Sequence, residues 1–111
     1  MSDADLASSV FVDANDAITF ATGTVQLSDA ADLTITSANG AVSVASVGGT
    51  SSEDITINAG TGTLAVGAIG TSDEINTVTL TGSTITLSGD ITTSNAANNN
   101  VDINGAVVIS G

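Results

Sequence analysis

The side chains that could do chemistry in this sequence are carboxylates and hydroxyls. The 111-residue chain carries 12 Asp and Glu residues, many Ser and Thr residues, and no Lys, Arg, His or Cys. A hydroxyl nucleophile needs a neighbouring base to activate it at neutral pH, and histidine and lysine do not occur. Paired carboxylates can hydrolyse glycosides, but the chain has no Trp or Tyr on which a sugar could stack. The composition predicts a protein that is not an enzyme, without catalytic or cofactor-binding residues.

Five carboxylates are candidate calcium ligands because of their spacing. Asp32 and Asp54 are 22 positions apart, Glu53 adjoins the second of them, and Asp73 and Glu74 fall in the next comparable segment. Carboxylates stacked at one corner of a repeating structure repel one another unless a cation bridges them, and calcium prefers such oxygen ligands. Calcium is therefore the one metal that the sequence brings into consideration.

The same acids have a simpler interpretation. Residues 48–54 are similar to the calcium-binding repeat Gly-Gly-x-Gly-x-Asp, but they lack its third glycine, misplace the acid and do not recur at nine residues. The alternative is a solvated acidic corner that keeps the protein soluble, in which case the chain has no metal site.

The net charge of −12 at pH 7 limits the possible partners. Nucleic acids and anionic membranes are excluded, because no basic side chain can neutralise a phosphate. The absence of cysteine excludes disulfides and zinc–thiolate sites. No apolar run approaches the ~20 residues of a membrane span, and the acidic residues 1–7 do not resemble a signal peptide. We expect no membrane insertion, and any secretion signal would lie outside this chain.

Three interleaved series of short apolar segments recur with a common period of about 22 residues. The first series consists of triplets that begin at Val10, Leu33, Ile55, Val78 and Val101. The second series consists of triplets that begin at Ile18, Val42, Leu64, Ile85 and Val107. The third series is marked by Val25, Val47, Ile69 and Ile91. Each period therefore holds three short strands.

The residues between the strands are typical of turns. Glycine and asparagine recur there, for example at positions 39–40, 82 and 104–105, and both accept the left-handed conformation that tight corners require. Asn-Gly also favours hairpins, but hairpins do not explain the long period. A chain that turns three corners and returns one strand spacing higher does explain it. The sequence predicts an all-β fold: a parallel β-solenoid (β-helix) of about five three-stranded coils, forming a single domain over residues 1–111.

Alternation within the first-series strands predicts which side chains face the interior. Parallel strands lie ~4.8 Å apart, so each inner side chain should stack on its equivalent in the next coil. The residues predicted to face inward are Val10, Val12, Leu33, Ile35, Ile55, Ile57, Val78, Leu80, Val101 and Ile103. Those predicted to face outward are Phe11, Thr34, Thr56, Thr79 and Asp102.

The outward threonines suggest a second kind of surface. Two parallel columns are expected on one face, formed by Thr34, Thr56 and Thr79 and by Thr36, Asn58 and Thr81. Ice-binding solenoids use flat Thr-x-Thr arrays of this spacing. The alternative is that threonine is an ordinary solvent-facing strand residue, and Phe11, Asp13 and Asp102 interrupt the columns at both ends.

Residues 54–70 and 78–92 resemble the repeats of filamentous-haemagglutinin-like adhesins and other giant secreted β-solenoid proteins of bacteria. The resemblance implies an extracellular or cell-surface location and a right-handed solenoid that acts as a stalk, spacer or adhesive fibre. It implies no catalytic residue. The complete lack of Lys and Arg departs from the usual composition of that family.

The two ends of the array are complementary. Residues 3–6 are predicted to form a strand of the third series that precedes the first coil. The sequence given stops at Gly111, after the second strand of its last coil. Copies of the chain are therefore expected to stack end to end, or the chain to adjoin neighbouring repeats of a longer protein. A heterologous contact that does not close produces a filament. The alternative is an excised fragment whose ends are kept apart by acidic repulsion.

Overall fold

A computed structural model describes residues 4–6, 10–20, 22–28, 30–50, 52–71, 73–94 and 100–111. Within these ranges the chain is all-β, as predicted, and contains no helix, hence none that could cross a membrane. The strands are β1 (Ala4–Leu6), β2 (Val10–Ala14), β3 (Ile18–Phe20), β4 (Val25–Leu27), β5 (Leu33–Ser37), β6 (Val42–Gly48), β7 (Asp54–Asn58), β8 (Thr63–Ile69), β9 (Thr77–Leu87) and β10 (Val101–Ile109).

All strand pairs are parallel and follow three faces. The first face stacks β2, β5, β7 and the first halves of β9 and β10. The second face stacks β3, β6, β8 and the second halves of β9 and β10. The third face stacks β1, β4 and the ends of β6 and β8. The result is a β-solenoid of about four turns. Its strands are stacked in five levels, which we call rungs, and the fifth occupies only the first and second faces. We number the rungs one to five, from residues 10–27, 33–48, 54–69, 77–91 and 101–109.

The predicted period is the observed register. On the first face Leu33 pairs with Ile55, Ile55 with Val78, and Val78 with Val101. The second and third series pair in the same way, including Val25 with Val47 and the isolated bridge between Ile69 and Ile91. The third-face strand predicted before the first coil is β1. Its Ala4 pairs with Val25, whereas Asp3 lies outside the described residues.

The corners differ from the prediction of three separate strands in each coil. The turns predicted around Gly82 and at Asn104–Gly105 lie inside β9 and β10, because hydrogen bonding between rungs continues around them. At the first of these corners the Ser83 amide donates to the Gly62 carbonyl at 2.9 Å. At the second, the register shifts between Asn104 and Ala106, and a Cβ on Gly105 would lie 2.0 Å from the Gly82 oxygen. Glycine thus lets the strand bend without leaving the ladder.

The interior is a column of aliphatic side chains. The predicted inward residues of rungs two to four are all buried, namely Leu33, Ile35, Ile55, Ile57, Val78 and Leu80. Val101 continues the predicted inward column, since it lies in register with the buried Val78, but it is 45% exposed because no described strand covers it. Ile103 is partly buried. The side chains of Val10, Phe11 and Val12 lie outside the described part of the structure. Among the predicted outward residues, Thr56 and Asp102 are exposed and Thr34 and Thr79 are half-buried.

Candidate functional site

The two stacked aspartates are linked to their neighbours by hydrogen bonds. Asp32 and Asp54 occupy equivalent positions on rungs two and three, as predicted, and the Asp54 amide donates to Asp32 Oδ1 at 2.9 Å. Asp54 Oδ1 accepts from Asn76 Nδ2 at 2.8 Å and from Thr77 Oγ1 at 2.7 Å. Each carboxylate therefore accepts donors from the rung that follows it. These hydrogen bonds offset part of the repulsion between the stacked acids.

Glu53 lies inside the solenoid rather than at its surface. Its side chain is fully buried, so the prediction of a solvated corner is wrong for this residue. The Thr50 amide donates to Glu53 Oε2 at 2.7 Å, and the Thr50 and Ser52 hydroxyls both donate to Oε1. A Cβ on Gly49 would lie 2.5 Å from Oε2 and 2.4 Å from Ile75 Cδ1, so a larger residue at position 49 would have to displace these side-chain ends.

The environment of Glu53 favours its charged form. Burial favours the neutral acid, but hydrogen bonds from the Thr50 hydroxyl and from the Thr50, Glu53 and Ser52 amides outweigh it. The pKa of Glu53 is therefore held below its ordinary value. The Glu53 carbonyl also accepts the Asn76 amide at 2.8 Å, which connects this loop to rung four. The arrangement is that of a structural carboxylate that fixes a corner.

The structure does not assemble the five calcium candidates into one site. Asp73 is exposed and Glu74 is half-buried, and the Glu74 amide donates to Asp73 Oδ1 at 3.1 Å. In the described ranges no three acidic side chains are arranged to hold a metal ion. Of the predicted constellation, the Asp32–Asp54 stack is brought together, whereas Glu53 points inward.

The two polar columns of the first face are present in register. Thr34, Thr56 and Thr79 pair in one column. Thr36, Asn58 and Thr81 pair in the next column. Because parallel rungs lie ~4.8 Å apart, these side chains form a regular polar array. Asp102 and Asn104 extend the columns on rung five.

Rung five presents an apolar edge. Val101 is 45% exposed, Val107 is 47% exposed and Ile109 is 73% exposed. The strand that carries them, β10, pairs with β9 on one side, and no described strand lies on its other side. A parallel edge with exposed β-branched side chains is a template for the addition of another strand.

A groove lies beside this edge, at the third face. Its volume is about 880 Å³, and its walls include Leu87, Asp90, Ile91, Thr92 and Ile109. The last described position on the third face is Ile91, which lies on rung four. On the first and second faces, β10 adds a fifth rung. The groove is therefore a step one strand wide. We call β10 and this groove together the rung-five edge.

Comparison of this chain with models of protein families, with curated proteins and with solved structures finds no match.

One feature of the candidate site, the buried Glu53, was not predicted from the sequence. Its Thr50-x-x-Glu53 spacing was the available signal, because a side chain three residues earlier can hydrogen-bond back to the acid. The groove at Ile91 corresponds to the expectation that the last coil lacks its third strand, and the structure adds the residues that line it.

Proposed function

We propose that this chain is a non-enzymatic structural segment of an extracellular or cell-surface fibre or stalk, of the adhesin type, that stacks end to end. The observation that carries the proposal is the rung-five edge, where Val101, Val107 and Ile109 expose apolar surface along an unpaired parallel strand. Covering such an edge with another rung pairs its backbone groups and buries its side chains. The extracellular, adhesin-type part of the proposal rests on the resemblance described above.

The repeating interior supports a mechanical role. Buried ladders on consecutive rungs make each coil depend on its neighbours, as in other solenoids, so the stack behaves as a rod and can be lengthened by adding coils. Three of the candidate carboxylates, Asp32, Asp54 and Glu53, accept hydrogen bonds that connect or close corners, which supports a structural role for them.

Electron microscopy of the purified chain at neutral pH with salt tests the proposal. We expect thin continuous fibres whose diffraction shows a repeat near ~4.8 Å along the axis. A chain that remains a monodisperse monomer at high concentration would contradict it. Ile109→Asp should prevent assembly because it places a charge on the exposed edge, whereas Thr56→Asp, on a side face, should not.

A second candidate function is ice binding by the first face. The in-register columns of Thr34, Thr56 and Thr79 and of Thr36, Asn58 and Thr81 favour it. Thermal hysteresis distinguishes the two functions. Clear shaping of ice crystals at micromolar protein, lost in Thr56→Asp and retained in Ile109→Asp, would favour ice binding over a purely structural role.

A further inference from the structure

We propose that the groove at Ile91 receives strand β1 of a second copy, in parallel, with Ala4 of that copy opposite Ile91. The inference rests on the proposed end-to-end stacking and adds the groove that receives this strand and the register in which the two pair. It starts from the staggered faces. At one end of the described solenoid the third face extends one rung beyond the other two faces, because β1 lies one rung before β2 and β3. At the other end the third face stops one rung short of the other two, because it ends at Ile91 whereas β10 occupies rung five.

The backbone of the groove is oriented to accept a strand. The Ile69 amide donates to the Asp90 carbonyl at 2.8 Å, and the Thr92 amide donates to the Ile69 carbonyl at 2.9 Å. In a parallel ladder this pattern turns the amide and carbonyl of the intervening residue to the opposite side. The N–H and C=O of Ile91 therefore point into the groove, away from Ile69.

The same geometry holds along β10. The Val78 amide donates to the Asn100 carbonyl, and the Ser110 amide donates to the Leu87 carbonyl, both at 2.9 Å. The backbone groups of Val101 and Ile109 therefore face away from β9. All three faces of the rung-five edge thus present hydrogen-bonding groups in the same direction, along the solenoid axis.

The register of the second copy follows from the register within one chain. Ala4 pairs with Val25 and Asp5 with Gln26, and Val25 belongs to the stack that continues through Val47 to Ile69 and Ile91. A copy that continues this stack places its Ala4 on Ile91 and its Asp5 on Thr92.

The first and second faces are satisfied by the same placement. On the first face, Asp13 belongs to the column that ends at Asn104, so Asp13 of the second copy lies opposite Asn104. On the second face, Ile18 belongs to the column that ends at Val107, so Ile18 of the second copy lies opposite Val107. One docking event therefore covers all three faces.

A second copy fits the edge better than an isolated strand. A single extended peptide could fill the groove, but it would leave Val101 and Val107 exposed on the other two faces. A rung with the same cross-section covers the groove and both halves of β10 together. Because β1 leads at one end and the groove lies at the other, the contact is heterologous and repeats without closing.

Disulfide trapping tests the register, since the chain contains no cysteine. Neighbouring parallel strands lie ~4.8 Å apart, within the Cα separation of ~4.4–6.8 Å that a disulfide spans. We expect oxidised Asp5→Cys/Thr92→Cys to give a ladder of covalent oligomers that extends beyond the dimer on a non-reducing gel. Each single variant should give at most a dimer. The control Asp5→Cys/Thr61→Cys, whose second position is exposed on rung three, should give no ladder.

The outcomes separate the register from the stacking itself. Fibres without a ladder in Asp5→Cys/Thr92→Cys would overturn the register while stacking stands. Neither fibres nor a ladder would overturn both, and an equal ladder in the Thr61 control would show unspecific oxidation and overturn the register. If circular dichroism shows that the first pair does not fold, Asp13→Cys/Asn104→Cys tests the same register on the first face. A ladder from that pair supports the register, and its absence in a folded variant rejects it.

Discussion

The middle rungs and rung five share one pattern of residues but differ in what surrounds them. Val78 on rung four is fully buried, whereas Val101, its partner in register on rung five, is 45% exposed. Ile85 and its partner Val107 show the same contrast. Burial in this fold is therefore a property of the stack, because an inner side chain is covered only when a rung lies on each side. The middle rungs supply stability, and rung five exposes the apolar surface at which the proposed association would take place.

The largest effect that tests this contrast is a buried charge. Ile57→Asp on rung three should abolish cooperative folding, because an unpaired carboxylate would be placed among apolar neighbours above and below it. Ile109→Asp on rung five should leave the folded structure intact, because Ile109 is 73% exposed. Circular dichroism and thermal melting measure both.

The matched control is Thr56→Asp, which adjoins Ile57 but faces outward. It should fold with only slightly increased repulsion. Equal damage from the two substitutions would show that the assignment of inner and outer faces is wrong.

Truncating one valine on each rung should give a smaller but graded difference. Val78→Ala should cost about 2 kcal/mol of unfolding free energy, from two lost methyl groups and a residual cavity. Val101→Ala should cost less than about 1 kcal/mol, because its side chain is already half in solvent in the single chain. Chemical denaturation of dilute protein gives both values. Equal losses would mean that the two rungs do not differ in packing.

The buried carboxylate on rung three should contribute to stability in a pH-dependent way. Glu53→Gln should cost about 1 kcal/mol at neutral pH, because the amide offers a donor where Thr50 and Ser52 already donate. Since the pKa of Glu53 is lowered on folding, its stabilisation is present above the ordinary value of 4.5 and is lost as the pH falls through the folded value.

Denaturation at several pH values, with Asp102→Asn on rung five as the surface control, measures this contribution. The difference between the parent chain and Glu53→Gln should shrink on acidification below pH 4.5. A difference that grows on acidification would contradict the role assigned to Glu53.

The smallest effect concerns association at rung five. A chain with a net charge of −12 repels its copies, and salt screens this repulsion over ~10 Å at ~0.1 M. Raising the salt concentration, adding divalent cations or lowering the pH toward ~4 should therefore promote assembly. Light scattering that stays flat in all three titrations would contradict the prediction, and Ile109→Asp should respond less than the parent chain.

The register was the most predictable part of the fold. A period of about 22 residues in three independent series fixes which residues pair, so the spacing alone places Leu33, Ile55 and Val78 on one ladder. Side-chain direction followed from strand alternation. The exposure of Val101 did not, because alternation says which way a side chain points and not whether anything covers it.

The corners were less predictable. Glu53 is charged and adjoins a polar loop, so any rule based on polarity assigns it to the surface. Its burial depends on three local donors from Thr50 and Ser52 and on the space left by Gly49, which are details of loop geometry. Likewise, the continuity of β9 through Gly82 depends on the Ser83 amide reaching the Gly62 carbonyl, a contact between rungs.

The orientation of the hydrogen bonds between rungs has a mechanical consequence. The strands lie across the solenoid, so the bonds that join them run along its axis, and tension along that axis stretches them lengthwise. A coil at an end is held by a neighbour on one side only and is therefore the first to detach. Coils should therefore detach in succession from an end rather than all together. Each period of about 22 residues would release roughly 70–80 Å of extended chain at ~3.3–3.6 Å per residue. Under force the rod would lengthen in equal steps, and it would absorb energy in units set by the same period that defines its fold.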